Sequence, residues 1–398
     1  MIRKSILPII LLFALFSCDG GKKPIDCEHY IIDLDGKKDP YIPVSTLFKD
    51  IRTIILETNK DCLIGHINCL QVFDENIYIL DSNKAKSLFV FDMEGRFIRK
   101  IGGIGRGPGE YVGINDFTFD RENRIIFIDD YENRIQKYKL DGTYLQTITV
   151  LADNSFTNFI QFYDNRLFSS QLLWDKSNDN PTLLEIDPND GKIISQSIPL
   201  KYNKGWNENF IDHTQFFMSR ANDPPRYNLM FMDYIVSLGK EITPYIELKS
   251  KYLTTEADIE TFRGKDEIPI NLLNIMNSSK LFNVNSFIEN NDFICFRIGF
   301  LKTVVVFYKK TGYLNLANNL SNDLIYKHDA KDKFCRFLYA DENGAYSILD
   351  TQWEDLDEFK RAIKNNETVA GLDKEDQLMK ITEESNPVIF YYGFKDAD

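Results

Sequence analysis

Asn76-Ile77-Tyr78-Ile79-Leu80-Asp81, then Ser87 to Asp92, then Gly95-Arg96-Phe97-Ile98 is the stretch that decides the fold. It reads as strand, polar turn, strand, tight Asp/Gly turn, strand. The pattern returns as Arg124-Ile125-Ile126-Phe127-Ile128-Asp129, Arg134 to Leu140, and Gly142-Thr143-Tyr144-Leu145. Weaker copies follow at Asn165 to Ser170, Thr182 to Asp187 and Gly191-Lys192-Ile193-Ile194, and at Tyr227 to Phe231, Tyr234 to Leu238 and Gly239-Lys240-Glu241-Ile242. The turn glycines 95, 142, 191 and 239 are spaced by 47, 49 and 48 residues. A tight hairpin turn needs one residue at positive φ, which glycine adopts without steric cost. A four-stranded unit recurring at this length is the signature of β-propeller blades.

The count can be carried to both ends. A fifth unit comprises Leu281 to Glu289, Asp292 to Ile298, Thr303 to Tyr308 and Gly312-Tyr313-Leu314. A sixth begins with Phe334 to Ala340 and Ala345 to Asp350, is interrupted, and resumes at Pro387-Val388-Ile389-Phe390-Tyr391-Tyr392. It lacks a fourth strand, while Ile51 to Glu57 is a strand without a unit. Pairing the two closes the ring and removes the edges an open array would expose. The sequence therefore predicts an all-β, six-bladed β-propeller of four-stranded antiparallel blades, closed by strands from both ends of the chain. Two insertions read as helical. Thr254-Thr255-Glu256 opens one, with a threonine cap and Ile259 and Phe262 on one face. Asp355 to Lys364 forms the other, with Leu356, Phe359 and Ile363 on one face. The segment Asn365 to Ser385 after it is polar enough to be mobile.

The first residues are an address rather than part of the fold. Arg3 and Lys4 precede the apolar run Ile6 to Phe16, which is too short to span a bilayer but suits a signal-peptide core. Leu15-Phe16-Ser17-Cys18 resembles a bacterial lipobox, in which the cysteine is lipidated and becomes the mature N-terminus; an ordinary secretory signal is the alternative. The expected organisation is a signal peptide at 1–18, a tether at 19–39, and the propeller at 40–398 with insertions near 250–280 and 351–386. Acidic residues outnumber basic ones 60 to 47, a formal net charge of −13, which argues against a nucleic-acid partner because phosphate neutralisation needs a basic face. Five cysteines remain beyond Cys18. They contain no CxxC pair or zinc spacing, and a Cys62–Cys69 disulfide is conceivable in an oxidising compartment.

The connector Ile101-Gly102-Gly103-Ile104-Gly105-Arg106-Gly107-Pro108-Gly109-Glu110-Tyr111 resembles the GxGxGPGEY element of NHL-repeat propellers. Asp116-Phe117, Ile128-Asp129 and Asn133-Arg134-Ile135-Gln136 continue that pattern. With the lipobox, the degenerate later blades and the closing Asn386 to Tyr391 segment, the chain resembles a family of six-bladed β-propeller lipoproteins. That resemblance implies the fold and a cell-envelope location, and it brings no activity with it.

The residues themselves say little about catalysis. The glycine-rich connector lacks the Gly-Lys-Ser/Thr and the following helix of a P-loop, and no GxSxG nucleophile motif occurs. The four histidines 29, 66, 213 and 328 form no i, i+4 pair. Asp116, Asp212 and Asn285 could point inward from inner strands and hold Ca²⁺. Trp174, Trp206 and Trp353, with Arg106, Tyr111, Tyr131 and Arg134, fall in loops that open on one face together with both insertions. Such side chains suit stacking on a sugar or peptide, although the tryptophans could equally pin the insertions to the body. Two functions follow. The first is a lipid-anchored, non-enzymatic binding or scaffolding module for an envelope protein, glycan or peptide. The second is a Ca²⁺-dependent lyase or lactonase acting at the central channel.

Overall fold

A computed structural model describes residues 28–151, 155–173, 177–206, 216–218, 223–263, 275, 277–299, 303–328, 332–351, 356–369 and 372–395. Cys18, Cys27, Trp174, Asp212, His213 and Trp353 lie outside the described residues.

Six small sheets, each built on four antiparallel strands, form a six-bladed β-propeller. Blade 1 runs Cys69–Phe73, Asn76–Asp81, Ser87–Asp92, Phe97–Ile101, from the axis outward, and blade 2 runs Ile114–Asp120, Ile125–Asp130, Arg134–Lys139, Tyr144–Thr149. Blades 3, 4 and 5 have innermost strands Ser155–Tyr163, Phe216–Phe217 and Asn285–Glu289. Blade 6 is mixed: Phe337–Ala340, Gly344–Leu349 and Val388–Phe394 are completed by Phe48–Ile55 from the other end of the chain. The closing register sets Val388 opposite Ile55 and Ile389 opposite Ile54. Ile54, Val388, Ile389 and Phe390 are fully buried, so the two ends are held by packed side chains as well as by the ladder.

The repeat is legible in the turns. Gly95, Gly142, Gly191 and Gly312 have φ of 84°, 87°, 78° and 69°, each between the third and fourth strands of a blade. Gly239 breaks the pattern and is not at positive φ; its carbonyl accepts a hydrogen bond from Arg166 Nη2 at 2.6 Å. Blade 4 is also thinner than its sequence suggests. Its second strand is only Arg226–Tyr227, and Leu229 to Met232 form a buried turn, where the apolar run had predicted a continuous strand.

Three other expectations change. The N-terminal arm does not stay a tether to residue 39: Tyr30–Asp33 pairs in parallel with Ile242–Lys249 of blade 4, and Lys38–Pro43 with Tyr313–Ser321 of blade 5. Each supplies a fifth, outermost strand. The polar segment after the second insertion helix is tied down, because Leu372, Leu378 and Ile381 bury themselves in the core shared by blades 5 and 6. Cys62 and Cys69 are both free thiols, not a disulfide.

Both insertion helices form, at Glu256–Arg263 and Leu356–Lys364. Thr255 caps the first, accepting from Asp258 N at 3.2 Å while Asp258 Oδ2 accepts from Thr255 N at 2.8 Å, a reciprocal capping box. The second buries Leu356, Phe359 and Ile363 against Phe334 and Phe390.

Candidate functional site

Alternation of strand direction gives the wheel two unlike ends. The connectors between blades and the loops joining second to third strands open at one end, which both insertions also decorate; this is the connector face. The hairpins joining first to second strands open at the other, the turn face.

On the connector face, the expected contacts that fall among the described residues are mostly buried or already paired. Tyr111 is buried, its hydroxyl donating to the carbonyl of Ile101 at 3.0 Å. Its connector closes on itself: Gly103–Ile104 pairs with Glu110–Tyr111, and Glu110 Oε2 accepts from Gly107 N at 2.8 Å. A Cβ on Gly105 would meet that carboxylate at 2.0 Å, so the glycines serve a folded-back turn rather than a phosphate. Trp206 is only 2% exposed, packed with Phe231, Phe282, Ile259 and Ile275, which favours the packing alternative for this ring. Arg106 and Arg134 both pair with Glu132, at 3.0 and 3.1 Å, and Arg134 also pairs with Asp130 at 2.7 Å. Tyr131 keeps an exposed ring that covers Gly113.

The axis holds a narrow cavity of about 90 Å³, to which every innermost strand contributes: Gln71, Asp116, Gln161, Phe217, Asn285 and Phe337. Side chains stitch neighbouring blades together around it. Gln71 Nε2 donates to Phe117 O at 2.9 Å, Gln161 Nε2 to Thr118 Oγ1 at 3.1 Å, and Ile160 N to Asp116 Oδ2 at 3.0 Å. Burial pushes the Asp116 carboxyl up to about 7, against the opposing hydrogen bonds from Ile160 and Phe117. Asp129, just behind, is pushed well above the carboxylate range by burial, while bonds from Thr157 and Asn115 oppose the shift. Asp116 and Asn285 thus share the cavity, and Asn285 Oδ1 has no partner. This is a poor Ca²⁺ site, since that ion takes about six to eight oxygens, commonly with several carboxylates. Among the described residues no group of three or more His, Cys, Asp or Glu is placed to hold a metal.

Two spaces larger than the axial cavity lie on the turn face, and no reading of the sequence singled them out. A cavity of about 640 Å³ lies over blades 6 and 1, and one of about 220 Å³ over blades 2 and 3. Arg121 and Met218 line both, so the two adjoin. Tyr339, Tyr346 and Tyr391 form a run of rings along the larger one, with centroids 5.7 and 4.9 Å apart. Arg52 lies over the Tyr391 ring at 5.2 Å and Arg121 over Phe73 at 4.9 Å. Arg121 also donates to Tyr339 Oη at 3.0 Å, and Tyr346 donates to Asp341 Oδ2 at 3.0 Å.

A signal for this face was present in the sequence. The hairpins of blades 1, 2 and 6 read Asp74-Glu75-Asn76, Asp120-Arg121-Glu122-Asn123 and Asp341-Glu342-Asn343. Turn chemistry explains two of the aspartates: Asp120 Oδ1 accepts from Asn123 N at 2.9 Å, and Asp341 Oδ1 from Asn343 N at 2.8 Å. Asp74 forms a two-point pair with Arg124 at 2.8 and 2.5 Å. The glutamates have no such duty.

Residues 29–393 match the family described as a domain of unknown function, DUF4934. No curated protein matches the chain. Among solved structures, a protein from Bacteroides fragilis described as exported is similar at a TM-score of 0.66 and 17% identity, covering 92% of this chain and 99% of that one. A DUF4221 family member from Bacteroides vulgatus is similar at a TM-score of 0.50 and 11% identity, covering 87% and 99%. At such identities the likeness carries the fold alone.

Proposed function

We propose that this chain, which belongs to the DUF4934 family, is an exported binding or scaffolding module that takes up a glycan, peptide or protein segment on its turn face. The carrying observation is the pair of adjoining cavities there, the larger about 640 Å³ and lined by Arg52, Arg121 and the half-exposed Tyr391. Tyr391, half-exposed beneath Arg52, offers a flat, partly polar ring for stacking against an extended ligand, while Tyr339 and Tyr346 are buried behind it and hold it in place. The connector face offers less: two of its expected contacts, Tyr111 and Trp206, are buried, and two of its arginines are already paired. Export accords with the name of the structural neighbour from B. fragilis, and lipid on Cys18 would hold the module at the envelope.

Glycan and peptide arrays probed with the wild-type protein, Tyr391→Ala and an Arg106→Ala/Tyr131→Ala double variant test the site. Ligands lost in Tyr391→Ala and kept in the double variant are expected. The reverse pattern would move the site to the connector face. For the anchor, Cys18→Ser should shift the protein from the membrane fraction to the soluble one, and an unchanged distribution would remove the lipid.

A further inference from the structure

Three glutamates remain on the turn face after its internal chemistry is accounted for. Glu75, Glu122 and Glu342 stand one per hairpin on blades 1, 2 and 6, line the two adjoining cavities, and are exposed. None forms an ion pair among the described residues. A hairpin turn needs Asp, Asn or Gly for its geometry but has no use for the neighbouring glutamate, whose charge here faces like charges. Seven carboxylates line the two cavities; Asp74 and Asp164 among them pair with Arg124 and Arg166, and the cations in the linings themselves are the guanidiniums of Arg52 and Arg121. Those two arginines are committed to ring faces, at 5.2 Å over Tyr391 and 4.9 Å over Phe73. They show that the aromatic floor of this groove accepts a guanidinium face.

Resting on the turn-face reading above, we propose that the occupant is an extended peptide segment bearing lysine or arginine. Its cationic side chains meet Glu75, Glu122 and Glu342, and its flatter groups lie on Tyr391. Charge complementarity favours this over an acidic segment, which the three glutamates would repel, and over a neutral sugar, which would gain hydrogen bonds from them but no ion pair.

The probe is a labelled alternating Lys-Gly peptide, compared with the matching Glu-Gly peptide and a neutral gluco-oligosaccharide, in binding titrations at low and moderate salt. The Lys-Gly peptide should bind and the Glu-Gly peptide should not. A Glu75→Gln/Glu122→Gln/Glu342→Gln variant should weaken it by about tenfold or more. These side chains are exposed, so the variant should melt with the wild type. A Glu256→Gln/Glu383→Gln/Glu384→Gln variant makes the same change in net charge outside both cavity linings, and it should leave binding within about twofold. Equal losses from the two variants would reduce the effect to general attraction by an acidic protein and overturn the inference, as would failure of the Lys-Gly peptide to bind. If the oligosaccharide binds instead and Tyr391→Ala abolishes that binding, the cationic ligand is refuted while the turn-face function stands.

Discussion

Replacing Asp116 with asparagine should make the protein more stable near neutral pH, by an amount that grows with pH. In the unfolded chain this carboxyl ionises near its ordinary value of 3.8; in the folded chain burial holds the proton until about 7. A group whose folded value is raised contributes stability that is complete below the unfolded value and is lost as pH rises through the folded one. Each unit of difference is worth about 1.4 kcal/mol, so a gap of about three units is worth about 4 kcal/mol as an upper bound. Asparagine keeps an oxygen for the Ile160 N–H that Asp116 now accepts, and it carries no charge to desolvate. The stability of Asp116→Asn minus that of the wild type should therefore be close to zero near pH 4, rise through the weakly acidic range, and level off above about pH 7. Asp129 is shifted in the same direction but is common to both proteins, so it largely cancels in the difference. Urea unfolding followed by tryptophan fluorescence at several pH values measures it. A difference that stays flat from about pH 4 to about pH 8 would refute the reasoning and show that the axial carboxylate is solvated or neutralised by a cation.

Glu289 is fully buried between Arg226 at 3.3 Å, Lys309 at 2.5 Å and the Tyr245 hydroxyl. Glu289→Gln should cost about 3–5 kcal/mol in urea unfolding, because it strands two nearly buried cations, and a loss under about 1 kcal/mol would show the cluster to be hydrated. Burial raises the Glu289 carboxyl, but Arg226 and Lys309 outweigh it and hold the group below its ordinary value of 4.5; its stabilisation is present above that value and is lost as pH falls through the depressed one. Trp206→Ala should cost about 3–5 kcal/mol, and an unchanged Tm would return that ring to ligand binding. Phe390→Ala, in the closing strand, should cost a similar 3–5 kcal/mol or so; a loss under about 1 kcal/mol would mean the wheel's closure is not a packed core.

The blades were legible because their determinants are local and repeated. The unbroken apolar runs within Asn76–Asp81 and Ile125–Asp130, bounded by turn residues, and glycines 95, 142 and 191 at positive φ each act within one hairpin, so a single chain displays them. The closing pair was legible for a related reason: one strand too few at one end and one too many at the other leave few alternatives. What escaped was whatever depends on which edge a short segment meets. Tyr30–Asp33 is a short strand-like run and Lys38–Pro43 carries Asp39, Pro40 and Pro43, which only an edge strand tolerates, and nothing local says that they will add in parallel to the rims of blades 4 and 5. The same holds for Leu378 and Ile381, two apolar residues in a polar segment whose burial is decided by the blade beneath them.

The candidate site escaped for a different reason. Tryptophans in loops draw attention because they are rare and large, but in a propeller the loops of the connector face must also be fastened to the body, and an indole buries more apolar area than almost any other side chain. Trp206 is spent on that fastening, against Phe231 and Phe282. The turn face has short hairpins and needs no such anchors. Its aromatic residues are tyrosines drawn from the strands themselves: Tyr339 from the first, Tyr346 from the second and Tyr391 from the third strand of blade 6. Strand alternation sets these rings, so in sequence they look like core. They meet at one end only because successive strands run in opposite directions, which brings the end of the first beside the start of the second. A groove built from strand ends is hidden in the apolar runs that reveal the fold, and in the sequence only the charges of Glu75, Glu122 and Glu342, which neither packing nor turn geometry requires, point to that end of the wheel.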